Sequence, residues 1–486
     1  MKRTPLLSIL VLTNIALMNA QDYQTFSSQR IAYFADRNGA IRSVRIDSVK
    51  HLTDSVFYPM SSIQQLDYDC FTPYGASWTG KKIIIRGNGD NLFFNREMDT
   101  IRIKTGAGLN EEWTAYELPD SVKIMATVKK IEKISFLGLQ DSVKTIAFQH
   151  YDKDMNPVAG NLDTTTLMLS KNYGLIRTMN FYLFPNYTSG FPYQEFEGYE
   201  LAGLSDPEAG VKNITWFDVN DFQVGDELHM IYESSNWGMG DDYHIIAKTI
   251  CRYLEREDHP DSIVYWIDRT MSQVINDTEY FYSHDTIFSH VSPDTVFDKL
   301  PGEPVVTESM AYTHSMTADS KSNPNTYIYP GADSCWTNCC DDECSAEYLY
   351  RVGLGGPYYE CYNALTLGTT SNSLVYYKKG QTTWGTPLTI SAIKPYPEEM
   401  NITIYPNPAA DRVFIKTPAS ILPFTFVLTD INGRLLISIQ INETEYSLEP
   451  GPIAPGIYFY RIICRDRPEK CGKLILRGSE TGKYER

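Results

Sequence analysis

Beyond its first twenty or so residues, the chain has almost no sustained helical periodicity. Short alternating or apolar runs recur instead, parted by clusters of Gly, Asn, Asp and Pro. Lys82-Ile83-Ile84-Ile85-Arg86 is one such run, and others fall at 100–104, 122–128, 142–148, 245–253 and 262–267. A period of two sends successive side chains to opposite faces, which is the pattern of a strand half-buried on a core. Gly87-Asn88-Gly89-Asp90-Asn91 follows one run directly and is a strong turn signal. Strands at intervals of about 8–15 residues predict sandwiches, barrels or curved sheets. The residue choice agrees, since 34 Tyr, 21 Phe and 7 Trp suit strands better than helices. The expected fold class is all-β.

The N-terminus has a different pattern. Lys2 and Arg3 precede an apolar run from Leu6 to Ala16, and polar residues return at Asn19 and Gln21. That run is too short to span a bilayer and has the order of a secretory signal peptide. Residues 1–20 are expected to be removed after Ala20. No later stretch approaches the ~20 apolar residues of a membrane helix. The nine cysteines lie outside this segment and suit an oxidising compartment. An odd number leaves at least one thiol over. The formal charge of −17 argues against nucleic acid and against an anionic lipid surface as partner.

The mature chain divides, by its composition, into a β-rich block at 21–160 and a second at 161–393 with longer loops. One continuous domain is the alternative reading, because no low-complexity seam separates the two. Lys394-Pro395-Tyr396-Pro397 opens a linker at 394–400, since two prolines deny a continuing ladder. Residues 401–477 then carry the phrases Ile404-Tyr405-Pro406-Asn407-Pro408-Ala409 and Val413-Phe414-Ile415-Lys416. After them come Asp430-Ile431-Asn432-Gly433-Arg434, Pro455-Gly456-Ile457-Tyr458 and Lys473-Leu474-Ile475-Leu476. Alternating strands and Gly/Pro turns predict a small Ig-like β-sandwich of about seven strands. Gly433 supplies the positive φ of a hairpin turn.

The order of these phrases resembles the type A C-terminal sorting domain of type IX secretion cargo. Pro406, Asn407, Pro408, Asp430, Gly433, Arg434, Gly456 and Tyr458 carry the likeness. The resemblance implies passage through the periplasm, recognition by the type IX machinery and removal of the domain. The mature protein would then be released, or attached to surface lipopolysaccharide. A polar tail at 478–486 departs from the pattern. Phrases in the body, among them Val224-Gly225-Asp226-Glu227-Leu228-His229 and Trp384-Gly385-Thr386-Pro387, resemble those of uncharacterised secreted Bacteroidota proteins with the same tail.

Candidate sites in the body are sparse. Cys335, Cys339, Cys340, Cys344 and Cys361 cluster in the loop 335–361. Thiolates at this spacing could hold zinc, but oxidised sulfurs do not, and the export route favours a disulfide knot. Cys70 and Cys251 are expected to pair with each other or with the odd member of that cluster. Cys464 and Cys471 flank a short loop and are candidates for a cross-strand bond. Asp333, Asp341, Asp342 and Glu343 form a weaker candidate calcium loop without EF-hand spacing. Asp followed by Ser or Thr and then Val, Ile or Thr recurs, and resembles the O-glycosylation sequon of Bacteroidota. Ser48, Thr100 and Ser142 are the candidate acceptors, while strand entry after a turn explains the same pattern.

The body has no Gly-x-Ser-x-Gly elbow and no His-Glu-x-x-His pair. No cofactor is implied. The reading is a secreted or surface-displayed protein that binds a polysaccharide, peptide or host molecule. An extracellular hydrolase, glycosidase or peptidase, with an unrecognised site is the alternative, and a structural surface or adhesin component the third. Tyr and Trp on one sheet face would favour the binder.

Overall fold

A computed structural model describes residues 22–478 except 118–122, 161, 186–197, 237–242, 324–326, 332–334, 339–345, 364–367, 392–401, 420–421 and 465–466. The expected signal peptide and the linker 394–400 lie outside the described residues. So do the tail beyond 478, Cys339, Cys340, Cys344 and the candidate calcium ligands Asp333, Asp341, Asp342 and Glu343. The chain divides after Ile390 into two compact units, both built from antiparallel strands. One single-turn helix, Trp216–Val219, occurs among the described residues, closed by a capping box between Thr215 and Asp218. No described helix is long and apolar enough to cross a membrane.

The alternation seen in the sequence becomes burial in the strands. In Thr100–Lys104, Ile101 and Ile103 are fully buried while their neighbours are not. The five-stranded sheet that holds this strand faces a ten-stranded sheet, and one apolar core draws from both. Phe93 and Phe181 stack across that core with centroids 3.9 Å apart. The long hairpin Lys123–Phe136 and Leu139–Tyr151 turns at Leu137 and Gly138, both at positive φ. Two such residues make the tight turn whose twist matches the strands.

The expected boundary near residue 160 falls inside this first sheet. Leu139–Tyr151 pairs with Thr166–Ser170, and Gly198–Ser205 pairs with Ala32–Ala35 near the other end of the block. A sheet closes its ladder with whatever strands satisfy its backbone groups, regardless of sequence distance. A six-stranded sheet ties the blocks further, joining Ser62–Asp67 and Cys70–Gly75 to four strands between 304 and 338. A second ten-stranded sheet holds long strands such as Tyr243–His259 and Ser262–Ile275. The single helix and Phe222 cover part of one face of that sheet, above Leu228, Tyr253 and Tyr265.

The second unit has one sheet of three strands and one of four around a core that includes Val413, Ile415, Phe426, Ile462 and Leu474. The expected seven-stranded sandwich is therefore present.

Candidate functional site

On the second ten-stranded sheet, the strands Gly355–Asn363, Gly368–Lys379 and Thr382–Gly385 lie side by side. Register decides which side chains share a face. Asn372, Leu374 and Tyr377 lie opposite Tyr232, Met230 and Leu228, which alternate along one strand and so point the same way. Asn372 and Leu374 are two residues apart, but Leu374 and Tyr377 are three apart. A bulge at Val375 absorbs the extra residue. Without it Tyr377 would face the other side of the sheet. Tyr359 pairs with Asn372, and Trp384 with Tyr377, which completes an aromatic row on this face.

The bulge also explains Gly385. The Val375 carbonyl accepts from the Thr386 N–H at 3.1 Å. Gly385 sits at φ +82°, and a Cβ there would come within 2.1 Å of that carbonyl oxygen. Only glycine permits this approach without moving the strand.

The row opens a groove of about 640 Å³, lined by Tyr358, Tyr359, Tyr377 and Trp384 together with Asp319, Glu347, Arg351, Glu360 and Asn372. Trp384 is 53% exposed, and its ring stacks on Tyr377 with centroids 5.8 Å apart and planes 20° from parallel. Tyr348 closes on Tyr359 at 5.0 Å. Tyr358 is buried and donates its hydroxyl to the Leu354 carbonyl. Burial pushes the Tyr358 and Tyr359 phenols up, so both stay protonated donors at neutral pH. The carboxylates are partly committed: Ser322 Oγ donates to Glu347 at 2.5 Å, and Asp319 lies 3.8 Å from Arg351. Lys379 Nζ fastens the adjoining loops through the carbonyls of Asp221 and Gly353 and the buried Asp226 carboxylate. Three acids against one arginine leave the groove negative.

The sequence analysis singles out one stretch that builds this groove, 384–387, as a phrase shared with other secreted proteins, without assigning it a site. Tyr376-Tyr377 and Trp384 on either side of a short turn were the available signal, but the face they share depends on the bulge.

The cysteines behave differently at the two ends of the chain. A disulfide joins Cys70 to Cys335 across 265 residues. Cys361 is disulfide-bonded too. Cys251 takes no part, contrary to the pairing considered with Cys70. It is a free thiol packed in the second ten-stranded sheet, raised by burial to about 11 and so unreactive. No bond joins Cys464 to Cys471. The register sets Cys464 opposite Arg467 and Cys471 opposite Arg461, so the two are out of step. Among the described residues no cluster of His, Cys, Asp and Glu is arranged to hold a metal ion.

Of the candidate acceptor hydroxyls, Ser48 and Thr100 are exposed. Ser142 is half-buried and bonded to Tyr23 Oη at 2.9 Å, between the buried Asp141 and Val143. Its hydroxyl is held by that contact in the folded chain.

In the second unit the signature residues hold the turns. Asn407 donates to the Lys473 carbonyl at 2.7 Å and accepts from the Ile475 N–H at 2.9 Å, fixing the Pro-Asn-Pro turn to the last strand. Asp430 accepts from the amides of Asn432 and Arg434, each at 2.9 Å, while Gly433 takes φ +79°. Tyr458 donates to the Ala454 carbonyl at 2.5 Å, beside Gly456. Residues 403–477 match the family described as the secretion system C-terminal sorting domain. This chain is a type IX secretion cargo.

Its sorting domain directs the cargo to the outer cell surface or into the medium. No curated protein matches the cargo. Among solved structures, it aligns with PorZ, a surface component of the type IX secretion system of Porphyromonas gingivalis, at 10% identity and a TM-score of 0.15. That alignment covers 93% of this chain and 81% of that one. The extracellular domain of a one-component system from B. thetaiotaomicron aligns at 8% identity with a TM-score of 0.15, over 92% and 90% of the two chains. At such scores neither superposition transfers a fold or a role to the cargo.

Proposed function

We propose that the cargo is an extracellular binding protein whose groove at Tyr359, Tyr377 and Trp384 takes an extended neutral polysaccharide. The stacked Tyr377–Trp384 pair carries this reading. An exposed tryptophan braced by a second ring offers a flat apolar platform that a sugar ring can cover. The flanking amide and carboxylates, Asn372, Glu347 and Glu360, supply hydrogen-bond partners for hydroxyls. The excess of carboxylates disfavours an acidic chain. Trp384→Ala is the test, read as retention on neutral polysaccharides in affinity electrophoresis. A loss of about fivefold or more is expected, since truncating one well-packed aromatic contact costs more than about 1 kcal/mol. Unchanged retention on every polysaccharide that the unmodified protein binds would sink the reading.

The same carboxylates support a glycosidase as the second reading, because such chemistry needs two acids flanking the bound sugar. Release of reducing ends from a bound polysaccharide, abolished by Glu360→Gln or Glu347→Gln, would favour it over simple binding.

A further inference from the structure

A second cavity, of about 540 Å³, opens elsewhere in the first unit. Its walls come from separated stretches at 40–43, 60–65, 76–78, 180–183, 301–302 and 313–316, with Tyr199 and Arg96 beside them. In a chain with 60 acidic residues, no aspartate or glutamate lines it among the described residues. Arg42 and Arg96 carry the formal charges on its described wall. His314 also lines it, but burial lowers the basicity of its ring, and Nε2 donates to the Val296 carbonyl at 2.9 Å.

The wall is built as a set of donors. Backbone bonds lock three of the residues together: the Arg96 N–H donates to the Tyr182 carbonyl at 2.8 Å, and the Tyr182 N–H to the Trp78 carbonyl at 3.0 Å. Gln64 holds the Ala76 N–H with its oxygen at 3.0 Å and donates its amide to the Tyr182 hydroxyl. That hydroxyl therefore accepts from Gln64 and directs its own proton elsewhere. Burial raises the Tyr182 phenol, which keeps the proton in place. Arg96 donates Nε to Glu97 at 3.1 Å, and its two Nη groups have no partner among the described residues. The Trp78 indole is 9% exposed, and its buried N–H has no acceptor among the described residues.

We propose that this cavity is a binding site for a small carboxylated saccharide of one or two rings. The carboxylate would meet Arg96, with Arg42 adding field, and the sugar hydroxyls would meet Tyr182, Asn180 and Gln64. A guanidinium gives a charge-assisted, geometrically defined contact to a carboxylate. Two exposed guanidinium groups on the wall of a cleft, in a protein of the opposite net charge, attract such a ligand. Hydroxyl-bearing and amide side chains around the cations match a polyhydroxylated ligand better than an apolar acid. The volume falls within the range of about 300–1,000 Å³ typical of small-molecule pockets.

The test is titration calorimetry of the full secreted chain with methyl β-glucuronide, methyl β-glucoside and a glutamate-containing dipeptide, at low and at 0.5 M salt. Saturable binding of the glucuronide, at least tenfold tighter than of the glucoside and weakened by salt, is expected. Arg96→Gln should reduce it tenfold or more, and Tyr182→Phe severalfold. Trp384→Ala should leave it unchanged, which keeps this site separate from the groove whatever that groove binds. Equal binding of glucoside and glucuronide, no binding of either, or glucuronide binding that survives Arg96→Gln in a folded variant would overturn the proposal. So would tighter binding of the dipeptide, which would replace the saccharide by an acidic peptide. The comparison of ligands on the unmodified protein decides the matter even where a variant does not fold.

Discussion

Trp384 stands directly opposite Tyr377 across the final hairpin of the body, its ring stacked 5.8 Å from the tyrosine ring. The pair faces the groove because Val375 bulges out of the ladder and Gly385 lets the next strand approach the bulged carbonyl. Gly385→Ala should therefore act on Trp384 through the backbone. It places a side chain at φ +82° and drives a Cβ to within 2.1 Å of the Val375 oxygen. The expected cost is about 1–3 kcal/mol of local stability. Retention on polysaccharide should fall as far as in Trp384→Ala, although the aromatic ring is still present.

The Cys70–Cys335 bond closes a separation of 265 residues and links two strands of the six-stranded sheet. Constraining so long a loop in the unfolded chain stabilises the fold by about 2–5 kcal/mol. The double variant Cys70→Ser, Cys335→Ser should unfold at lower denaturant concentration by that amount under oxidising conditions. The Cys361 bond is left intact in this comparison, so the shift reports one bridge.

Lys321 is fully buried, and its ammonium donates to the carbonyls of Lys299 and Ile214 and to Asn213 at 2.7, 3.0 and 3.1 Å. Desolvation lowers its pKa to about 8, below the ordinary 10.5. Below pH 8 both folded and unfolded states hold the proton. Between about 8 and 10 the folded state has released it and the unfolded state keeps it, so the folded state gains stability as pH rises. Unfolding free energy of the unmodified protein, measured against Lys321→Met at each pH, should rise by about 2–3 kcal/mol over that window. The subtraction removes the opposite trend from the buried phenols of Tyr253 and Tyr358, which are raised and lower stability above pH 10. A flat difference would mean the ammonium is solvated when folded.

In the sorting domain, Asn407 bonds the last strand from both its amide atoms. Asn407→Ala should cost the domain about 1–2 kcal/mol. Amide exchange at Ile475, whose N–H the side chain accepts, should quicken about tenfold, while exchange at Phe426 in the central strand keeps its relative protection.

Mass spectrometry of the secreted protein should find added sugar at Ser48 and Thr100 and none at Ser142. The first two hydroxyls are exposed, whereas the third is bonded to Tyr23 and flanked by buried residues. Sugar at Ser142 would require modification before folding.

The sequence by itself determined the strands, the turns and the export signature. Alternation at period two and glycine at positive φ are settled within a few residues by backbone sterics, so Ile101, Ile103, Gly138 and Gly433 could be read without any partner. The sorting domain is legible for the same reason: Asn407, Asp430 and Gly433 act on neighbours or within one small sandwich. Only the tertiary structure decided which strands meet. Phe71 pairs with Trp336, and Ala32 with Leu204, because sheet assembly sums backbone and side-chain terms over the whole unit, not over a window. The same long-range choice made the Cys70–Cys335 bond and put Cys464 and Cys471 out of register. It also produced both cavities, whose walls are drawn from stretches that no local pattern connects. A single bulged residue, Val375, turned Tyr377 toward Trp384, and periodicity read without the register assigns that tyrosine to the opposite face.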